Sequence, residues 1–215
     1  QRYTPWAGNT KNAHSHLTFD DGPFIGDTEI ILDVLKEYNT KATFFLRADN
    51  MNEETRYIVD RIIDEGHMIG SHTSTHRNLQ YGNQTVLEEE IVDAHNFFKD
   101  YLGFQPKIFR PPYGGIDDRS HKLLEEYGYS IVMWSSGCVD WWFTDNDKDL
   151  ETSIAAMRYS QAEMGSIVCM HDTAEAPNKG ERLRKYLDDT WNFWDYVDFN
   201  TCIGRTDVDE GKVFK

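Results

Sequence analysis

Residues Ala42 to Leu46 (ATFFL) form a short apolar run flanked by segments of helical period. Five residues are too few for a buried helix. The run reads as a strand covered on both faces, the habit of parallel sheets packed between helices. Ahead of it, Ile30, Ile31, Val34, Leu35 and Tyr38 recur at helical spacing after N-cap oxygens at Asp27 and Thr28, ending at Asn39. Further back lies another apolar run, Leu17 to Phe19. Strand, helix, strand is a βαβ unit, and its connection is right-handed in nearly all known sheets.

The alternation continues. A helix is predicted over Glu53 to Glu65, a short apolar piece over His67 to Gly70, and a long helix over about Thr85 to Leu102. That helix turns Leu87, Ile91, Ala94, Phe98 and Leu102 inward and Glu88, Glu89 and Asp93 outward. Strands follow at Lys107 to Arg110, Ser130 to Trp134 and Ser166 to Met170, separated by helices over Asp118 to Tyr127 and Asp149 to Met164. A last helix over about Glu181 to Tyr196 precedes a terminal strand near Asp198 to Ile203. With no Pro- or Ser-rich linker, this is one α/β domain over residues 1–215, built on a parallel sheet. Residues 1 to 13 read as a surface tail. Neither a dinucleotide fingerprint nor a phosphate loop is present.

Polar residues gather where the strands end: Asp20-Asp21, His72, Arg110, Asp140 and His171. Barrel enzymes place chemistry at that face, so a barrel is favoured over an open sheet. The net charge of −15 argues against a nucleic-acid or anionic-membrane partner, which would be repelled. No stretch approaches the ~20 apolar residues of a membrane span. The chain begins at Gln1, as expected of a processed or trimmed sequence from which any signal peptide is already gone. Cys138, Cys169 and Cys202 are too few for a disulfide scaffold, though one bridge is possible. Asn83-Gln84-Thr85 is a formal glycosylation sequon.

In Thr18-Phe19-Asp20-Asp21-Gly22-Pro23, two carboxylates sit between a strand-like run and a Gly-Pro breaker. Taken alone, such a pair is usually solvated. His72-Thr73-Ser74-Thr75-His76 places two imidazoles four residues apart, which on a helical turn project from one face and can share a metal. Two imidazoles and one carboxylate make a three-ligand set with an open position for water. Only one of Asp20 and Asp21 need bind, leaving the other to act as general base. Arg110 is either the partner that keeps a carboxylate ionised or a surface arginine before a rigid Pro-Pro turn. His171 ends an apolar strand; it is either structural or a proton donor supported by Asp140.

With these motifs in hand, the chain resembles the NodB-type polysaccharide deacetylases, a family that includes chitin, peptidoglycan and acetyl-xylan deacetylases. The resemblance runs from about His16 to Gly204. It rests on TFDDGP at 18 to 23, HTSTH at 72 to 76, RPPYGG at 110 to 115, VDWW at 139 to 142 and CMHD at 169 to 172. It implies a distorted, incomplete (β/α) barrel. It further implies that Asp20 is the base, tuned by Arg110, and that Asp21, His72 and His76 hold one divalent ion, zinc or else cobalt or another. The backbone N–H of Tyr113 would stabilise the oxyanion, Trp141 and Cys169 would wall the pocket for the acetyl group, and His171 paired with Asp140 would be the general acid. A metal-activated water would then remove N-acetyl groups from chitin or chitooligosaccharides, with peptidoglycan and acetyl-xylan as alternative substrates and a weakly catalytic carbohydrate-binding protein as an alternative class. The expected setting is secretion or the cell surface, as a monomer.

Three positions depart from the family pattern. Gly137 stands where an acid is common, Cys169 where leucine is usual, and Gly115-Ile116-Asp117 where an Asn often follows. None removes a catalytic group, so the expectation is shifted specificity rather than lost activity. Cys202 lies in a segment similar to the last strand of fungal-type members, and could be unpaired or bridged to Cys138 or Cys169.

Overall fold

The computed structural model describes residues 14–137, 140, 151–152, 154–156, 167–173, 179–192 and 194–204. The elements run in order β1 (His14–Asp20), α1 (Asp27–Glu37), β2 (Ala42–Leu46), α2 (Arg56–Asp64), β3 (Met68–Ser71), α3 (Gln84–Leu87) and α4 (Ala94–Leu102). A π-helical turn, Glu88–Asp93, joins α3 and α4 into one long helix. Then come β4 (Ile108–Phe109), α5 (Asp118–Glu126), β5 (Ser130–Ile131), β6 (Ser136–Gly137), helical residues at 151–152 and 154–156 (α6), β7 (Ile167–His171), α7 (Lys179–Thr190), β8 (Asp195–Tyr196) and α8 (Phe199–Ile203).

The strands pair in the order β5-β4-β3-β2-β1-β7-β6, every pair parallel, and β8 adds to the start of β1. This order forces the sheet to curl. β5 and β6 lie at its two ends, yet only residues 132–135 separate them in the chain. Five extended steps reach about 18 Å, whereas six strand spacings laid flat would need about 29 Å. The result is an unclosed (β/α) half-barrel, as the resemblance implies.

Both faces of the sheet are buried. Phe44 points outward among Ile31, Leu35, Ile58 and Phe98 of the covering helices, while its neighbour Phe45 points inward among Met68, Ile108, Val132, Ile167 and Phe199. That is why the Ala42–Leu46 run carries no polar alternation. A third cluster, including Leu87, Ile91, Phe109 and Leu124, seats the long helix and α5 against β4 and β5.

Several local expectations are corrected. The segment expected to be a terminal strand is the helix α8. Asp198 caps it by accepting from the Thr201 backbone N–H at 3.0 Å, Phe199 and Cys202 bury one helical face, and Gly204 ends it in a left-handed conformation with φ of 67°. The preceding helix stops at Thr190 rather than Tyr196, because the chain must turn to pair Asp195–Tyr196 with the start of β1. The cap of α1 is Gly26, whose N–H donates to Glu29 at 2.6 Å, rather than Asp27 or Thr28. The long 84–102 helix stands as expected, apart from its π turn. Of the predicted 149–164 helix, only the α6 residues are described.

Candidate active site

Four strand ends deliver the polar groups to one rim of the half-barrel. β1 and β7 are in register with Asp20 opposite His171, and β1 and β2 with Asp20 opposite Phe45. His72 follows β3 directly, and Arg110 follows β4. Because parallel strands all point the same way, residues at successive C-terminal ends converge on one edge.

Asp20 and Arg110 form the buried heart of the site. Arg110 is fully buried and donates from Nη1 to Asp20 Oδ1 at 2.7 Å. The same nitrogen donates to Thr18 Oγ1 at 2.7 Å, Nε to the Val132 carbonyl at 3.2 Å and Nη2 to the Met133 carbonyl at 3.3 Å. Its guanidinium lies 4.1 Å from the Phe45 ring centroid. Burial alone would raise the Asp20 pKa; the adjacent Arg110, with lesser help from His72 and His171, outweighs it and holds the carboxyl below its usual range. The sequence left Arg110 as either a tuning partner or a surface residue. The fold places it inside, on Asp20.

Asp21 has the opposite environment. Its backbone is left-handed, with φ of 85°, held by its own N–H donating to the Phe45 carbonyl at 3.2 Å and by Asn50 donating to its carbonyl at 2.7 Å. Its Oδ1 lies 3.2 Å from His76 Nε2 and 3.6 Å from His72 Nε2, and is buried without a hydrogen bond. Burial, and then repulsion from Asp20, raise its pKa to about 6. His72 Nδ1 donates to the Arg110 carbonyl at 2.7 Å, which fixes the tautomer and leaves the Nε2 lone pair toward Asp21. Burial lowers the His72 pKa to about 3 and lowers that of His76 as well, so both rings are neutral at physiological pH.

An orphaned buried carboxylate oxygen facing two neutral imidazoles fits a divalent cation. Ligand atoms of Asp21, His72 and His76 all lie within 4.8 Å of one another. One expectation is corrected here: His72 and His76 do not share a helical turn. Residues 73–76 form a loop with left-handed Thr73 (φ 73°) and His76 (φ 68°), so the two rings meet through tertiary structure.

His171 ends β7, and Asp140 grips it twice, with Oδ2 accepting from its backbone N–H at 2.7 Å and Oδ1 facing its Nδ1 at 2.7 Å. A carboxylate can only accept, so Nδ1 carries the proton. Cys169 is fully buried and its thiol points at Asp20 Oδ2, 3.6 Å away. Tyr113 occupies a left-handed position (φ 59°, ψ 9°) and sets its exposed ring edge-on to His76, with centroids 4.7 Å apart. Trp141 and Cys138 lie outside the described residues. Cys169 and Cys202 are both buried and are not bridged to each other. Gly137 has φ of +86°, and a Cβ there would sit 2.3 Å from the Cys169 carbonyl, so this backbone has no room for the acid common in the family.

Some residues of the site escaped sequence reasoning. Arg182 is buried and donates to the Asp140 carbonyl. Thr28 donates to Asp172 Oδ2 at 2.6 Å, and Asp172 in turn packs so closely on Gly22 that a Cβ there would lie 2.1 Å from Oδ2. Glu90 is fully buried and bonded to the 73–77 loop. It was hidden in the charge run 88–90, although it falls three residues after Leu87 and four before Ala94, on the buried stripe.

An unclosed parallel half-barrel with an acid–guanidinium pair, an Asp-His-His cluster and an Asp–His pair along its C-terminal rim has the layout of a barrel hydrolase. The family model for polysaccharide deacetylase matches residues 7–132, and the chain belongs to that NodB-type family. It is 38% identical over 168 residues to the peptidoglycan-N-acetylglucosamine deacetylase of Bacillus cereus, covering 78% of this chain but only 59% of that protein. A crystal structure of a peptidoglycan N-acetylglucosamine deacetylase, in complex with 4-naphthalen-1-yl-N-oxidanyl-benzamide, superposes with a TM-score of 0.82 at 32% identity, covering 94% and 93% of the two chains. The chitin deacetylase of Colletotrichum lindemuthianum gives a TM-score of 0.81 at 25% identity, covering 95% and 93%.

Proposed function

We propose that this protein removes N-acetyl groups from N-acetylglucosamine units of a cell-wall polysaccharide, with peptidoglycan favoured over chitin. The observation that carries the reading is the division between two adjacent acids: Asp20 locked onto buried Arg110, and Asp21 left facing two neutral imidazoles. Peptidoglycan is favoured because the relative from Bacillus cereus acts on it by name. The similarity to a chitin deacetylase supports chitin, the substrate expected from sequence, as the second reading.

In this reading Asp21, His72 and His76 hold one divalent ion, zinc by the donor set. When bound, such an ion lowers the pKa of water and polarises the acetyl carbonyl. Asp20, ionised through Arg110, takes the proton of the attacking water as general base. Arg110 also fixes the carboxylate plane through its backbone and Thr18 bonds. The Tyr113 backbone N–H supports the developing oxyanion, and Trp141 with Cys169 bounds the acetyl pocket. His171, its Nδ1–H fixed by Asp140, delivers a proton from Nε2 to the departing amine. In this reading the protein is secreted or held at the cell surface, where its polymer substrate lies, and works as a monomer.

Acetate release from peptidoglycan, chitooligosaccharides and acetyl-xylan with divalent metal present tests the reading. Release from the N-acetylated polymers, lost in Asp20→Asn, is expected. Measurable oligosaccharide binding with no acetate release would replace the enzyme by a carbohydrate-binding protein.

A further inference from the structure

His72 and His76 lie on a loop, so their convergence on Asp21 needs a cause other than helical spacing. Thr73 and His76 are both left-handed without being glycine, and a β-branched residue such as Thr73 is seldom found there. Local bonds explain part of the arrangement. His76 N–H donates to Thr73 Oγ1 at 3.0 Å, and on the side of β2 the loop carbonyls of Thr73 and Ser74 accept from Ala48 and Asp49 at 3.1 and 3.0 Å.

The opposite side of the loop is held by the π-helical turn Glu88–Asp93. Glu90 points from it with no exposed surface. Its Oε2 accepts from the Thr75 backbone N–H at 2.9 Å, and its Oε1 accepts from the Thr75 hydroxyl at 2.5 Å and Arg77 Nε at 2.6 Å. The neighbouring Glu89 adds its carbonyl, accepting from Ser74 Oγ at 2.8 Å, and its carboxylate, paired with Arg77 Nη2 at 2.5 Å. One buried anion thus grips the residues on both sides of His76. Buried carboxylates are rare unless paired, and π turns within α-helices are frequent at functional sites.

We propose that Glu90 is a positioning residue: by holding residues 75 and 77 it sets the direction of the His76 imidazole and hence the affinity of the site for its metal ion. This rests on the reading that Asp21, His72 and His76 are the ligands. Loss of an outer partner of a metal ligand typically weakens metal binding about 10- to 100-fold.

The test measures metal affinity rather than turnover. Glu90→Gln keeps the side chain's size but removes its charge, and Thr75→Val removes one donor while leaving the backbone N–H. Zinc affinity is read by competition with a chromophoric chelator, ligand geometry by the visible spectrum at saturating cobalt, and folding by circular dichroism. The expected result is a folded Glu90→Gln protein that binds zinc about 10- to 100-fold more weakly, a smaller loss in Thr75→Val, and an altered cobalt spectrum. Affinity within twofold of the unsubstituted protein in folded Glu90→Gln overturns the inference. If Glu90→Gln does not fold, the same criterion applied to Thr75→Val decides. His76→Ala separates the two claims: unchanged affinity there overturns the ligand reading, whereas a loss there with none at Glu90 overturns only the role of Glu90.

Discussion

Replacing Arg110 by Met tests the electrostatic core of the site. The side chain is fully buried, and its loss strands Asp20, whose side chain is only 3% exposed. Breaking a buried pair by removing one partner costs about 3–5 kcal/mol. Asp20 can limit its own share by taking a proton. Starting from an unfolded pKa near 3.9, that costs about 3 × 1.4, or roughly 4 kcal/mol, at pH 7. The Val132 and Met133 carbonyls also lose their donors, adding about 1–3 kcal/mol for each acceptor left dry.

The sum, about 6 kcal/mol even at the low end of these ranges, is a large part of a typical domain stability of ~5–15 kcal/mol. Urea unfolding followed by tryptophan fluorescence, with metal supplied throughout, measures it. The sign of the pH dependence is fixed. In the variant the folded Asp20 pKa lies above its unfolded value, so the penalty is full at pH 7 and fades by about 1.4 kcal/mol per pH unit toward pH 4. Asp20→Asn combined with Arg110→Met should recover about 3 kcal/mol and lose that pH dependence. A single-variant cost below about 1 kcal/mol, or strictly additive costs in the pair, would refute the buried-pair reasoning.

Asp20→Asn leaves the buried Arg110 without its anion, which should cost about 3–5 kcal/mol of stability but keep the fold and metal, while activity falls at least ~10²-fold, the usual scale of general-base loss; near-full acetate release would remove Asp20 from that role. His76→Ala should lower metal content on dialysis against a chelator, and unchanged content would exclude it as a ligand. His16 and His67 are buried, with pKa values lowered to about 4 mainly by desolvation. His67 Nδ1 accepts from the Ala42 N–H at 3.1 Å, a bond that protonation breaks. Their unfolded pKa is near 6.5, so the unfolded state binds protons first. Stability should be full above pH 6.5 and decline toward pH 4, by up to about 3 kcal/mol per histidine. An unchanged urea midpoint between pH 7 and pH 5 would contradict this.

The alternation of strand and helix, and the polar residues that gather where the strands end, were legible in the sequence. Local hydrophobic period decides whether a segment is helix or strand, and parallel strands separated by helices then place every strand's C-terminal residue on one rim. The Ala42–Leu46 run and the 84–102 helix were therefore legible, as were Asp20, His72, Arg110 and His171 as neighbours. The short α8 was misread because its cap, Asp198, and its Phe199–Cys202 spacing involve too few residues to outweigh an apolar ending.

Which group faces which is settled only in three dimensions. Asp20 and Asp21 are identical in chemistry and adjacent in sequence. Arg110, 90 residues away, bonds one, and the rings of His72 and His76 face the other. Glu90, which bonds Thr75 and Arg77 on either side of His76, and Arg182, which donates to the Asp140 carbonyl, stand among charged neighbours that read in sequence as a solvated face. The helical period marks the burial of Glu90, but which groups it and Arg182 bond is set by contacts between segments distant in the chain.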